Sequence, residues 1–227
     1  AVRLERSGGY GINIKVFDNN RKAIIAGFAS DSLAIWDLQT GKQINQLDIQ
    51  SGNALAFDFI DENKCMIGVR GIIRLYNMKT LEVIKTYTPE GYDGRYKDIR
   101  KIIFSPDKKY FATGDTDGLV TIWDFNKDKE IISFNTHKNG ITSLAFSPDG
   151  KNIVSGSYNG KSLVISEVTT GKEIARFILF SDGEWIVISP EGYFNASPNG
   201  AKYLNIRVGD QVYSIDNFHE KYFCLLY

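Results

Sequence analysis

Residues 141–177 read ITSLAFSPDGKNIVSGSYNGKSLVISEVTTGKEIARF, and the punctuation of this stretch decides the fold. Ile141–Phe146 is an apolar-rich strand broken by Ser147-Pro148-Asp149-Gly150. Proline presets φ at the second turn position, and Gly150 takes the left-handed position of a bulged hairpin. Asn152–Ser157 reads as a second strand, Tyr158-Asn159-Gly160-Lys161 as the next turn and Leu163–Glu167 as a third strand. Thr170-Gly171-Lys172 then leads into an outer strand over Glu173–Phe177. Four short strands joined by tight turns make one antiparallel sheet, and alternating side chains let such a sheet pack on both faces.

The pattern recurs along the chain. Ser105-Pro106-Asp107, Ser147-Pro148-Asp149 and Ser189-Pro190-Glu191 are spaced 42 and 42 residues apart, each after an apolar run. A second anchor, Ile35-Trp36-Asp37, Leu75-Tyr76-Asn77, Ile122-Trp123-Asp124 and Ile165-Ser166-Glu167, recurs at 40, 47 and 43 residues. A period of roughly 40–45 residues with a fixed turn per unit is the signature of a radially repeated sheet. The expected fold is therefore all-β: a β-propeller of four-stranded antiparallel blades, with about five blades in the 227 residues. The whole chain, 1–227, reads as one domain, with units at about 8–49, 52–88, 97–135, 138–178 and 183–215. Residues 1–7 read as a stray outer strand that would complete the last sheet, and 216–227 as a terminal strap. Three arrangements fit five units: a closed five-bladed ring, part of a larger propeller, or a ring completed by another chain.

Composition narrows the function classes. Lys+Arg and Asp+Glu both number 27, so there is no general pull toward nucleic acid or an anionic membrane. No apolar stretch approaches bilayer length and no leader-like segment opens the chain. Cys65 and Cys224 are too far apart in sequence to suggest a disulfide framework or a metal site, and they read as packing residues. The expected location is cytoplasmic. His137 and His219 are the only histidines, neither with a zinc spacing nor with a serine or cysteine beside it, and there is no phosphate-binding glycine loop. Asp115 and Asp117 lack further oxygen donors at calcium spacing and read as turn formers. The expectation is a chain with no catalytic activity, no cofactor and no metal.

Trp36-Asp37 and Trp123-Asp124, with the hairpin turns Ala145–Gly150 and Thr113–Gly118, resemble the WD-repeat β-propeller family over nearly the whole chain. The resemblance implies a buried Asp–His–Ser–Trp hydrogen-bond network in each blade, and the chain departs from it. The third unit has Asp117 and Trp123 without a histidine before its first strand. The fourth has His137 and Ser155 with Asn159 and Ser166 where Asp and Trp are expected. The segment Glu184–Ser197 is similar to a terminal segment of bacterial WD-repeat proteins, some of them fused to caspase-like peptidases; nothing here resembles the peptidase. That likeness implies a bacterial propeller with a regulatory or sensing role.

The resemblance implies a protein-interaction or scaffold module that binds another protein or peptide through face loops, with self-association open to it if the ring is incomplete. The alternatives are the sensing domain of a larger bacterial enzyme and a propeller enzyme. The loop Thr86–Asp98 fills the longest interval between anchors and interleaves tyrosine and arginine, residue types enriched in binding hot spots. Tyr92, Arg95 and Tyr96 are its contact candidates; the competing reading is that its tyrosines fold back on neighbouring sheets. Ala29, Arg70, Thr116 and Tyr158 occupy the second hairpin turns, which the resemblance places on the partner-binding side, and Arg70 and Tyr158 are the strongest of these. Trp185 reads as a core residue. The run Arg95–Lys101 holds four cations and one anion, and fits either a solvated loop or a surface for RNA or an acidic peptide.

Overall fold

The computed structural model describes residues 11–27, 32–49, 56–93, 97–157, 160–208 and 210–215. Strands β1 (Gly11–Phe17), β2 (Lys22–Gly27), β3 (Ser32–Asp37) and β4 (Lys42–Asp48) form the first four-stranded meander. Strands β5 (Phe57–Asp61), β6 (Lys64–Val69), β7 (Ile72–Asn77) and β8 (Val83–Tyr87) form the second. The third comprises β9 (Ile99–Phe104), β10 (Tyr110–Asp115), β11 (Leu119–Asp124) and β12 (Lys129–Asn135). The fourth begins with β13 (Ile141–Phe146), β14 (Asn152–Ser157), β15 (Ser162–Glu167) and β16 (Glu173–Leu179). These are the four-stranded antiparallel blades that the 42-residue spacing predicts.

The two recurrent motifs earn their positions by closing turns. In the third sheet, Ser105 Oγ donates to Asp107 Oδ1 at 2.7 Å while accepting the Tyr110 N–H at 3.0 Å, and Asp107 also accepts the Lys109 N–H at 3.1 Å. Ser147 and Asp149 repeat this arrangement in the fourth sheet at 2.6, 2.9 and 3.1 Å. The aspartate after Trp36 and after Trp123 caps the following turn: Asp37 Oδ1 accepts the Gln39 and Thr40 N–H groups, and Asp124 Oδ1 those of Asn126 and Lys127. Hydrogen bonding to the ionised form holds all four carboxyls below the ordinary aspartate range.

Packing follows chain order. Phe17, Ile24, Leu33 and Ile35 of the first sheet meet Phe57, Ile67 and Tyr76 of the second, with Phe17 stacked on Phe59 at 4.8 Å. The other face of the second sheet, through Met66, Ile73, Leu75 and Tyr87, meets Phe104, Phe111 and Trp123 of the third. Phe111 and Trp123 are stacked at 5.5 Å, and Tyr87 stands edge-on to both at 5.3 and 6.1 Å. Ala112, Val120 and Ile122 then pack on Ile141, Leu144 and Ile153 of the fourth. Inner strands are buried on both faces, so β6 reads as an almost unbroken apolar run, whereas the outer strand β12 alternates exposed and half-buried residues.

The segment 183–215 is organised differently from a fifth meander. Strands β17 (Trp185–Ile188) and β18 (Phe194–Ala196) add to the free edge of β16, making the fourth sheet six-stranded. The cause is the turn Ser181-Asp182-Gly183. Gly183 has φ 87° and donates to the Phe180 carbonyl at 3.1 Å, and the Phe180 N–H donates to the Glu184 carbonyl at 2.9 Å. That closes a hairpin and sends the chain back along its own sheet. Trp185 lies half-buried on this extension, stacked on Phe177 at 5.7 Å. A 3-10 turn at Gly200–Tyr203 and a separate hairpin of β19 (Asn205–Val208) and β20 (Gln211–Ser214) follow. The outer strand expected at 1–7 and the strap at 216–227 lie outside the described residues.

Candidate functional site

The second hairpin turns and the links between sheets meet on one end of the structure. In the second sheet the β6–β7 turn has only two residues, Arg70 (φ 50°) and Gly71 (φ 80°), flanked by the pair Val69 and Ile72. Two successive positive φ values make a twisted two-residue turn, for which asparagine and glycine are the easy occupants. Arginine there accepts a conformation that L side chains avoid.

The loop after β8 folds back onto this turn. The Tyr92 hydroxyl donates to the Arg70 carbonyl at 2.8 Å, and the Glu90 N–H donates to Glu130 Oε2 at 2.9 Å. Tyr87, 3% exposed, is buried in the core with its hydroxyl on Asp128 at 3.2 Å, whereas Tyr92 keeps 36% exposure. Beneath the loop lies a cavity of about 170 Å³ whose lining includes Tyr92, Lys97, Thr113, Asp115 and Glu130. Asp115 is 5% exposed, and burial raises its carboxyl above the ordinary range although its Oδ1 accepts the Asp117 and Leu119 N–H groups at 2.9 and 3.0 Å.

The next turn, Thr116-Asp117-Gly118, is held on both sides. The Thr116 N–H donates to the Asp98 carbonyl at 3.1 Å, and Lys97 Nζ lies 3.5 Å from Asp117 Oδ2. Gly118 (φ 87°) receives the following link: Thr136 and His137 donate their N–H groups to its carbonyl, and a Cβ at 118 would lie 2.1 Å from the His137 carbonyl oxygen. No side chain fits there. Turns and links are thus locked together from Arg70 to Asn139, which makes this end a rigid surface.

The hydrogen-bond network that the resemblance implies is present in part in the third and fourth sheets. In the third sheet the Trp123 Nε1–H donates to Thr113 Oγ1 at 3.2 Å. In the fourth, His137 Nε2 lies 3.1 Å from both the Oγ and the carbonyl of Ser155, and burial lowers its basicity. Where one partner is missing, an atom is stranded: Trp36 Nε1 and Ser166 Oγ are buried with no hydrogen-bond partner among the described residues. The register explains Trp36. Trp123 sits opposite Phe111, two residues before Thr113, and Trp36 sits opposite Ala23, two residues before the apolar Ile25.

Of the site residues expected from sequence, the structure brings Arg70 and Tyr92 into direct contact and places Thr116 on the same end. Arg95, Tyr96, Tyr158 and Ala29 lie outside the described residues. Sequence reasoning passed over Lys138, which shares a cleft with Arg100 and Thr116. Its signal was positional, one residue after His137 in the link that seats on Gly118. Among the described residues there is no group of three or more His, Cys, Asp or Glu placed to hold a metal ion. No helix among them is long and apolar enough to cross a membrane.

Comparison with known proteins follows this architecture. The WD domain, G-beta repeat family model matches residues 84–124 and 128–164, which run from β8 through β11 and from β12 into β15. The chain is 26% identical to WD repeat-containing protein SL1-17 of Schistosoma mansoni over 199 residues, covering 83% of this chain and 62% of that one. It is 25% identical to serine-threonine kinase receptor-associated protein of Gallus gallus (80% and 47%) and 26% identical to autophagy-related protein 16 of Arabidopsis thaliana (67% and 32%). The chain therefore spans less than two thirds of the length of these relatives. All three are eukaryotic, and this overturns the bacterial assignment drawn from Glu184–Ser197. That segment belongs physically to the edge of the fourth sheet, where its apolar run Trp185–Ile188 pairs with β16. The matched stretches, 84–124 and 128–164, resemble WD40 repeats, and the two sheets that begin before them, β1–β4 and β5–β8, carry the same four-stranded plan.

Proposed function

We propose that the chain is a non-catalytic scaffold that binds a protein or peptide partner in the cytoplasm through the end formed by its second hairpin turns and inter-sheet links. WD40-type domains are typically protein-interaction scaffolds. The observation that carries the reading here is the interlock of Gly118 with the 136–140 link, which holds the Thr116 turn against the segment bearing Lys138, on the same end where Tyr92 is tied to the Arg70 turn. A surface already ordered loses little entropy on binding, so modest contacts suffice for affinity. Arg70 strengthens the case, because a hairpin that could take asparagine or glycine instead carries a residue suited to an interface.

The test is affinity capture from source-cell lysate with the wild type, an Arg70→Ala/Tyr92→Ala variant and a Lys151→Ala/Lys172→Ala variant altered at the opposite end. A protein retained by wild type and the second variant and lost with the first is the expected result. Equal retention by all three would place the working surface elsewhere.

A further inference from the structure

We propose that the cleft between the third and fourth sheets takes the carboxylates of an acidic peptide segment, a proposal that rests on the interaction reading above and specifies its partner's chemistry. The cleft is about 450 Å³ in volume and is lined by Arg100 of β9, the Thr116-Asp117 turn, the Lys138-Asn139-Gly140 link, and Ile141 and Thr142 of β13. Two cations enter it, and among the described residues neither Arg100 nor Lys138 has a side-chain hydrogen bond or ion pair. Its single acid, Asp117, is matched by Lys97 at 3.5 Å, so the cleft keeps the charge of its two open cations. In a chain with equal numbers of acidic and basic residues, this is a local excess and not a general one.

The chemistry favours a carboxylate side chain. Arg100 offers a planar fork of donors suited to two carboxylate oxygens, and Lys138 a movable ammonium on the other wall. The lining also includes Thr116, whose hydroxyl is a neutral hydrogen-bonding group. The lining contains no aromatic ring, so an unpaired base would find nothing to stack on. Two open cations are also few for a polyphosphate backbone, whose binding scales with the number of phosphates neutralised. The backbones of the Thr116–Gly118 turn and the 137–140 link are packed against each other through Gly118 and Gly140, so the stems of the turn and the link that carries Lys138 are held together before any ligand arrives.

The experiment is fluorescence anisotropy at physiological salt with three probes: a fluorescein-labelled octaglutamate peptide, an octaglutamine peptide and a ten-nucleotide oligo-dT. The proteins are wild type, Arg100→Gln/Lys138→Gln and, as a control, Lys151→Gln/Lys172→Gln. Both substituted pairs are exposed, so all three should fold alike, which circular dichroism checks. We expect octaglutamate to bind wild type and the control equally, with at least about tenfold weaker binding to the cleft variant, and neither other probe to compete. Absence of octaglutamate binding, equal loss in both variants, or tighter binding of oligo-dT overturns the proposal. If it falls while captured partners still depend on Arg70 and Tyr92, the interaction reading stands and only the acidic chemistry of the partner is lost.

Discussion

The indole N–H of Trp123 donates to the hydroxyl of Thr113 at 3.2 Å, in a site where the two residues are 1% and 3% exposed. This bond joins β11 to β10 on the face that packs against the second sheet, with Phe111 stacked on the same indole. Thr113→Val keeps the shape and removes the acceptor, leaving a buried donor unpaired. We expect a loss of about 1–3 kcal/mol by urea denaturation with an unchanged m-value.

The first sheet supplies the converse case. Trp36 Nε1 is buried without an acceptor among the described residues, and Ile25 occupies the place that Thr113 holds relative to Trp123. Ile25→Thr loses apolar surface and gains a partner for the indole, whereas Ile24→Thr, at a residue 0% exposed on the other face, only loses. The first substitution should cost at least about 1 kcal/mol less than the second. Equal costs in paired thermal melts would show that the hydroxyl does not reach the indole.

Much of this was legible from residues alone. The Ser-Pro-Asp turns and the Trp-Asp dipeptides fix where strands end, because each is a local hydrogen-bond device whose geometry needs nothing distant. The edge pairing of β17 with β16 was not legible, since an apolar four-residue strand fits a new sheet and an existing edge equally well and only the Asp182-Gly183 hairpin decides. The candidate surface was read through conspicuous side chains, Arg70 and Tyr92, and these do meet. The cleft was missed because Arg100 and Lys138 come from different units 38 positions apart, and their proximity is a property of the stacking of sheets.

Gly118 and Gly91 both have positive φ, 87° and 70°, yet a Cβ at 118 would lie 2.1 Å from the His137 carbonyl oxygen while one at 91 meets nothing within 4 Å. Gly91→Ala should therefore cost only the conformational penalty, about 1–2 kcal/mol. Gly118→Ala must also push the link away, and we expect about 3 kcal/mol or more, together with faster amide exchange over 136–140. Similar melting temperatures for the two variants would contradict the interlock.

His137 gives the fold a pH dependence of defined sign. Burial is the largest cause that depresses its folded-state basicity, and nearby Arg176 adds to it, while the hydrogen bond to Ser155 and the charge of Glu173 oppose it. A depressed folded-state pKa means that the unfolded chain binds the extra proton first. The contribution is present above about pH 6.5 and is lost as pH falls through the folded-state value. Between pH 7.5 and 5.5 the wild type should lose more stability than His137→Gln, measured by urea denaturation at both values.

The central claim, that partners meet the end formed by the second turns and links, is tested most directly by placing a photo-crosslinking amino acid at Lys138, at Tyr92 and at Thr170 in the source cell. Lys138 and Tyr92 lie on that end, and Thr170 lies in the β15–β16 turn at the other end of the strands. The account predicts a shared crosslinked protein at positions 138 and 92 and none at 170. Crosslinking at 170 alone, or the same products at all three positions, would contradict it.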